Sequence, residues 1–124
     1  DEGFILAVAK KKRSLEDLVS GTVKKYISWF AEQNKSKKHK IYFFNVPAPV
    51  YDKNYSDEIN TKIAITVALF NQEMKKHILE SGFNLIDVFQ FTAGNDKFSN
   101  GLFHIDKHHL GRNAIPEIEK YLDI

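Results

Sequence analysis

The sequence predicts an α/β fold in which helices and strands follow one another in the order α-β-α-β-α. Residues 14–34 and 56–81 place apolar side chains three or four positions apart, which is typical of amphipathic helices. Residues 41–46 and 83–91 are short runs rich in aromatic and β-branched residues, which favour strands. Strands separated by helices of about 20 residues pair in parallel through right-handed crossovers, and this arrangement defines the α/β class.

The first helix is expected to begin at Ser14, since Ser14 and Asp17 have the spacing of an N-terminal capping box. The first strand, residues 41–46, is almost continuously apolar. That character predicts a strand covered on both faces, as in a parallel sheet. Pro47 and Pro49 come next and favour an extended loop that continues to Asn54.

The second helix is expected to begin at Ser56, with acidic residues in its first turn, and to end at Gly82. The second strand follows over residues 83–91. Glycine and asparagine are frequent in residues 92–101, which predicts a loop. A last helix is expected over residues 112–122, with Pro116 tolerated in its first turn.

Composition excludes several kinds of chemistry. The chain has 124 residues and no cysteine, which rules out disulfides, Cys-ligated zinc, iron–sulfur clusters and a thiol nucleophile. The lack of cysteine fits a reducing compartment, so a cytoplasmic location is favoured. No apolar run reaches the roughly 18 to 20 residues of a membrane-spanning helix.

Charge is unevenly distributed along the chain. Residues 1–40 carry ten Lys or Arg and five Asp or Glu, while the remainder is net acidic. The basic clusters at 10–13 and 35–40 flank the first predicted helix, where solvated loops are expected. We therefore expect no nucleic-acid partner.

Three histidines and one aspartate lie within six residues, and three interpretations compete for them. His104, Asp106 and His108 alternate as metal ligands on a strand would. Asp106 and His109 lie three residues apart, so a tight turn would let the carboxylate reach the imidazole and form an acid–base pair. The third interpretation is that they are polar loop residues next to the last helix.

Residues 103–111, Phe-His-Ile-Asp-Lys-His-His-Leu-Gly, precede the last predicted helix and resemble the final conserved block, Asp-x-x-His, of SGNH/GDSL hydrolases. The strand at 41–46 with its Pro-Ala-Pro continuation, and residues 83–88, resemble the last two strands of that family. The resemblance implies a flavodoxin-like three-layer α/β/α fold with a parallel sheet and a Ser-His-Asp triad. It also implies an ester or acyl substrate and no cofactor or metal. By this resemblance Asp106 orients His109, which acts as the catalytic base.

The other conserved blocks of the family are missing. The chain contains no Gly-Asp-Ser and no Gly-x-Ser-x-Gly. Gly94-Asn95-Asp96 only superficially resembles the block that carries the oxyanion asparagine; it lies after both strands and is better explained as a turn.

We therefore expect residues 1–124 to be the C-terminal segment of an SGNH hydrolase-like domain. Its N-terminal half would supply the serine, and the chain begins at Asp1, with Met74 its one methionine. Such a segment should be inactive alone and should associate with that half or with itself. The alternative is a non-catalytic α/β binding or interaction module.

Overall fold

Helix α1 (Leu15–Gln33) begins where the sequence predicts it. The architecture is that of a computed structural model, and the structure describes residues 14–122; the basic cluster at 10–13 lies outside them. The Ser14 hydroxyl accepts a hydrogen bond from the Asp17 N–H at 3.1 Å, which satisfies one of the open donors of the first turn.

Helix α2 (Asp57–Glu80) also begins after a capping serine, because Ser56 Oγ accepts a hydrogen bond from the Ile59 N–H at 3.2 Å. Gly82 follows the helix with φ of 75°, a backbone conformation that glycine adopts without strain and that stops a helix. The two helices pack on each other and on the sheet through one hydrophobic core, formed by Val19, Val23, Ile27, Phe43, Met74 and Ile78.

Within residues 14–122 the sheet consists of two strands, β1 (Tyr42–Phe44) and β2 (Asn84–Ile86). The strands are parallel, with Phe43 opposite Leu85. This confirms the predicted mixed α/β class and the parallel pairing of strands joined by a long helix.

The first strand is shorter than the predicted 41–46, and within residues 14–122 one of its faces is open, whereas the sequence predicts cover on both faces. Phe43 is buried, but the next side chain, Phe44, is 58% exposed. The strand ends early because the Asn71 side chain holds both backbone groups of Val46, each at 2.8 Å. The side chain of Asn71, on α2, thus makes the hydrogen bonds to Val46 that a paired strand would otherwise make.

The predicted strand over 83–91 was wrong in its second half. After Ile86 the chain turns into a short helix, α3 (Val88–Thr92). Asp87 caps it, since its carboxylate accepts a hydrogen bond from the Gln90 N–H at 3.0 Å. A polar cap therefore outweighs the strand preference of the aromatic residues that follow.

The last helix is also shorter than the predicted 112–122. A 3₁₀ turn (Arg112–Ala114) leads into α4 (Ile115–Glu119), and the chain then turns. Pro116 has no N–H to donate to the Arg112 carbonyl, so the first turn keeps the tighter 3₁₀ pattern. None of the helices in the described part of the chain has the length and apolar character needed to cross a bilayer.

Candidate functional site

The carboxyl ends of the two strands are tied together by side chains. Asn45 follows β1 and donates a hydrogen bond to the Asp87 carboxylate, which follows β2, at 2.8 Å. The side-chain oxygen of Asn45, Oδ1, accepts a hydrogen bond from the Phe89 N–H at 3.0 Å. Asp87 therefore lies at the carboxyl end of β2, although the predicted strand over 83–91 puts it in the interior of a strand. Together these bonds hold the carboxyl ends of β1 and β2 next to each other, where the loops that follow the two strands begin.

The loops after the two strands are bound to each other. Thr92 Oγ1 accepts a hydrogen bond from the Ala48 N–H at 2.9 Å, and the Pro49 carbonyl accepts one from the Ser99 N–H at 2.8 Å. Parallel strands place the loops that follow them on the same side of the sheet, which is where ligands gather in α/β proteins.

Residues 103–111 form a narrow hairpin beside the loop that follows β1, at the carboxyl ends of the strands. Phe103 and Gly111 are joined by a hydrogen bond of 2.7 Å, and the Ile105 N–H donates to the His109 carbonyl at 3.0 Å. Gly111 lies close to the opposite arm, since a Cβ there would be 2.9 Å from a methyl group of Ile105. The hairpin thus confines Asp106 and His109 to one tight turn.

The structure brings the predicted acid–base pair together. His109 Nδ1 lies 2.9 Å from Asp106 Oδ2 and 3.0 Å from Oδ1. Asp106 Oδ1 also accepts hydrogen bonds from the backbone N–H groups of His108 at 2.7 Å and His109 at 2.8 Å. The His109 side chain is 72% exposed, and its Nε2 has no hydrogen-bond partner within residues 14–122. The arrangement fixes one ring nitrogen and leaves the other accessible.

These hydrogen bonds control the charge of Asp106. The His108 N–H, followed by the His109 side chain, lowers the pKa of the Asp106 carboxyl from its ordinary value of 3.8 to about 2. The Asp106 carboxylate is therefore ionised at neutral pH. An ionised carboxylate beside Nδ1 favours the ring tautomer that carries its proton on that nitrogen.

We expect the Asp106 side-chain carboxyl signal to titrate with a midpoint near 2 in NMR spectra of the labelled chain. A pKa that folding lowers stabilises the folded turn above the unfolded value, and this stabilisation is lost as pH falls through the folded value. The contribution of Asp106 to the stability of the hairpin should therefore be complete above about pH 4 and be lost between about 3.8 and about 2. A midpoint at the ordinary value, unchanged in His109→Ala, would contradict the observed geometry.

The proposed metal ligands do not converge. His104 Nδ1 lies 2.7 Å from Ser99 Oγ, whereas Asp106 faces His109. Among residues 14–122, no group of three or more His, Cys, Asp or Glu side chains is arranged to hold a metal ion. Elemental analysis of protein purified without a histidine tag tests this interpretation directly.

The contact between Ser99 and His104 was not predicted from the sequence. The Ser99 hydroxyl also accepts a hydrogen bond from the Gly101 N–H at 3.1 Å. Partial burial lowers the pKa of His104, and the nearby Asp106 carboxylate partly opposes that shift. Asn100-Gly101 is a turn signal that could have indicated a close approach of residues 99 and 104, but not which atoms meet.

A cleft of about 580 Å³ opens between the loop after β1 and the hairpin; we call it the carboxyl-end cleft. One side is polar and includes His104, Lys107 and His108, and the other is apolar, with Val46, Pro49, Val50, Ile63 and Val67. Its volume is in the range of small-molecule sites. His109 directly follows His108 in the chain, but unlike His108 it is not one of the residues that line the cleft.

Lys107 links the hairpin to the loop after β1. Its Nζ lies 3.0 Å from an Asp52 carboxylate oxygen. The Asn54 N–H and then Lys107 lower the pKa of the Asp52 carboxyl, so the two side chains form an ion pair. This pair joins the hairpin to the loop after β1 on the polar side of the carboxyl-end cleft.

Three of the described serines have other roles than that of a triad nucleophile facing His109. Ser14 and Ser56 cap helices, and Ser99 binds His104. Gly94-Asn95-Asp96 forms a turn in which the Gly94 N–H donates to the Phe98 carbonyl at 2.7 Å. The tripeptide Gly94-Asn95-Asp96 is therefore part of a turn, as the sequence predicts.

Comparisons with known proteins assign no family to this chain. A search of protein-family models, of curated proteins and of solved structures finds no match. The function is therefore argued from the geometry of the Asp106–His109 turn and the cleft beside it.

Proposed function

We propose that this chain is the C-terminal part of a serine ester hydrolase of the SGNH/GDSL type and supplies the acid–base half of its triad. The observation that carries the proposal is the 2.9 Å contact of Asp106 with His109 Nδ1, which leaves Nε2 accessible. In such a triad Nε2 takes the proton of the serine hydroxyl as that oxygen attacks the ester carbonyl. The imidazolium, stabilised by Asp106, then returns the proton to the leaving alcohol, and water hydrolyses the acyl-enzyme.

The position of the pair supports this assignment. Asp106 and His109 lie in a loop beyond the carboxyl ends of the parallel strands, where α/β enzymes bind substrate. The turn is followed at once by the short terminal helix, Arg112–Ala114 and α4, as in the family's final block.

The sheet supports the proposal that further strands belong to the same domain. Parallel sheets are normally covered on both faces, because each crossover helix packs on a face. Here Phe44 is 58% exposed, and within residues 14–122 each strand has a neighbouring strand on one edge only. A flavodoxin-like three-layer fold would place additional strands beside β1 and cover the exposed side chains. The nucleophile and the oxyanion donors would come with those strands.

The carboxyl-end cleft suits the apolar part of an ester substrate. Ile63 and Val67 of α2 form an apolar floor, while the Asp52–Lys107 pair lies on the polar side. An acyl chain on that floor would keep its carbonyl near the hairpin that carries His109. The substrate class is therefore an ester with an apolar acyl chain.

The test is to express the entire gene product that contains these residues and to assay it with p-nitrophenyl esters of increasing acyl length. A fluorophosphonate probe, which reacts with activated serines, is then mapped by mass spectrometry. We expect hydrolysis, and labelling of one serine outside these 124 residues. The 124-residue chain alone should neither hydrolyse the esters nor take up the probe. Labelling of Ser99, or no labelling at all, would contradict the proposal.

One observation favours the alternative of a non-catalytic binding or interaction module. Asp106 accepts two backbone hydrogen bonds, and these alone are sufficient to close the turn. The alternative predicts no esterase activity at any length and a stable monomer of 124 residues. The hydrolase proposal predicts that the isolated chain self-associates through its exposed apolar side chains, which size-exclusion chromatography would reveal.

A further inference from the structure

A second cleft, of about 640 Å³, lies at the other end of the sheet. One wall is the loop that follows α1, and the other is the turn at residues 81–84, between α2 and β2. Both segments precede strands, so this cleft is at the amino ends of β1 and β2, away from Asp106 and His109. Its basic residues are Lys35, Lys37, Lys38, His39 and Lys40, and we call it the lysine cleft.

The loop that carries these lysines has a defined shape. Asn34 is buried, and its side chain donates to the His39 carbonyl at 3.0 Å and accepts from the His39 N–H at 3.4 Å. The Lys37 N–H donates to the Asn34 carbonyl at 2.9 Å, and Lys37 adopts a left-handed φ of 52°. A single buried amide therefore closes the loop and holds its lysines along one side of a concave surface.

The charge of the lysine cleft is not balanced from within. No Asp or Glu is among the residues that line it. Lys35 pairs with Glu32 outside the cleft, whereas Lys37 and Lys38 have no ion-pair partner within residues 14–122. Like charges gathered in a concavity repel one another and concentrate a positive potential there.

The C-terminal ends of both long helices also lie at this cleft, since Asn34 caps α1 and Ser81 caps α2. A helix C-terminus carries a partial charge of about −0.5, so the two ends together carry about one negative charge. That charge offsets the charges of Lys37 and Lys38 only in part, and the cleft keeps a positive potential.

We infer that the lysine cleft binds a compact ligand that carries two or more phosphate groups. Lysine ammonium groups bind phosphate as point charges, and several of them around one concavity match a polyphosphate better than a single anion. A nucleic-acid strand is less well matched, because proteins that bind single strands usually add several aromatic side chains on which bases stack, and Phe83 is the one Phe, Tyr or Trp among the lining residues. The ligand is either a free polyphosphate or the headgroup of a phosphorylated lipid. This inference does not depend on the proposed hydrolase function.

The experiment titrates the ¹⁵N-labelled chain with sodium tripolyphosphate at low ionic strength. We expect amide shifts concentrated in residues 34–41 and 81–84, and an affinity that falls as salt is added. The double variant Lys37→Ala with Lys38→Ala should bind roughly tenfold more weakly, since it removes two charge-assisted contacts. The corresponding change to arginine should retain binding, because it keeps both charges.

The matched control is Lys75→Ala with Lys76→Ala, which removes the same charge from exposed positions of α2 that do not line the cleft. It should weaken binding by less than about twofold, as expected for long-range charge alone. Equal losses in both double variants, or shifts spread over every lysine of the surface, would overturn the inference. So would tighter binding of a single-stranded oligonucleotide that both variants weaken equally.

Vesicles distinguish the two sources of the phosphate groups. Phosphatidylcholine vesicles are compared with and without phosphatidylinositol bisphosphate in a sedimentation assay. Sedimentation that requires the phosphorylated lipid and is lost in the Lys37/Lys38 double variant supports a lipid headgroup. Tripolyphosphate binding without sedimentation supports a soluble ligand.

Discussion

In the hydrolase that we propose, replacement of His109 by alanine is expected to lower kcat by roughly 10⁴- to 10⁶-fold, with little change in KM. The imidazole that Asp106 orients is that of His109, whereas His108 bonds to Asp106 through its backbone N–H and not through its ring. Asp106→Asn should lower kcat by about 10⁴-fold, because an amide neither stabilises the imidazolium nor selects its tautomer. The measurement is steady-state hydrolysis of a short-chain p-nitrophenyl ester.

Two controls separate a catalytic role of His109 from a structural one. His77→Gln removes a histidine of α2 that is remote from the turn and keeps a good helix former, so kcat should change by less than about twofold. Added imidazole should partly restore the activity of His109→Ala, since it can occupy the space left by the side chain. Activity of His109→Ala close to that of the wild type would eliminate the assignment of His109 as the base.

Ile78→Ala is expected to lower the free energy of unfolding by about 2–5 kcal/mol. Ile78 is fully buried in the core that joins α1, α2 and β1, so the substitution removes apolar contacts and leaves a cavity. Urea denaturation followed by circular dichroism measures the change.

The neighbouring Leu79 provides the matched control for this prediction. It is on the same helix and is 59% exposed, so Leu79→Ala should change the free energy of unfolding by about 0.5 kcal/mol or less. Equal destabilisation by the two substitutions would mean that the face of α2 carrying Leu79 is buried in solution, as in a self-associated form. The concentration dependence of the unfolding midpoint would then identify that association.

Exposed apolar side chains favour self-association of the isolated chain. Phe44 on β1 and Leu79 on α2 are both more than half exposed, although residues of their type are usually buried. In the complete hydrolase, as proposed, the remaining layers of the domain would cover such positions. Measurements on the isolated chain should therefore include a check of its oligomeric state.

The sequence by itself determined the features that depend on local spacing. Ser14 and Ser56 marked the starts of α1 and α2, because a serine cap acts within three residues. The long helix between the strands implied parallel pairing. The three-residue separation of Asp106 and His109 allowed their contact as one of three interpretations, because a tight turn brings such neighbours together.

Only the tertiary structure decided the features that join distant segments. Asn71 ends β1 by binding Val46, which is 25 residues earlier in the chain. The second strand ends at Ile86 because a cap at Asp87 competes with strand propensity, and pattern alone does not measure that balance. The lysine cleft exists because the loop after α1 meets residues 81–84 across the packed helices. Side-chain capture of backbone groups and the meeting of remote loops depend on three-dimensional packing, and a periodicity in the sequence carries no information about either.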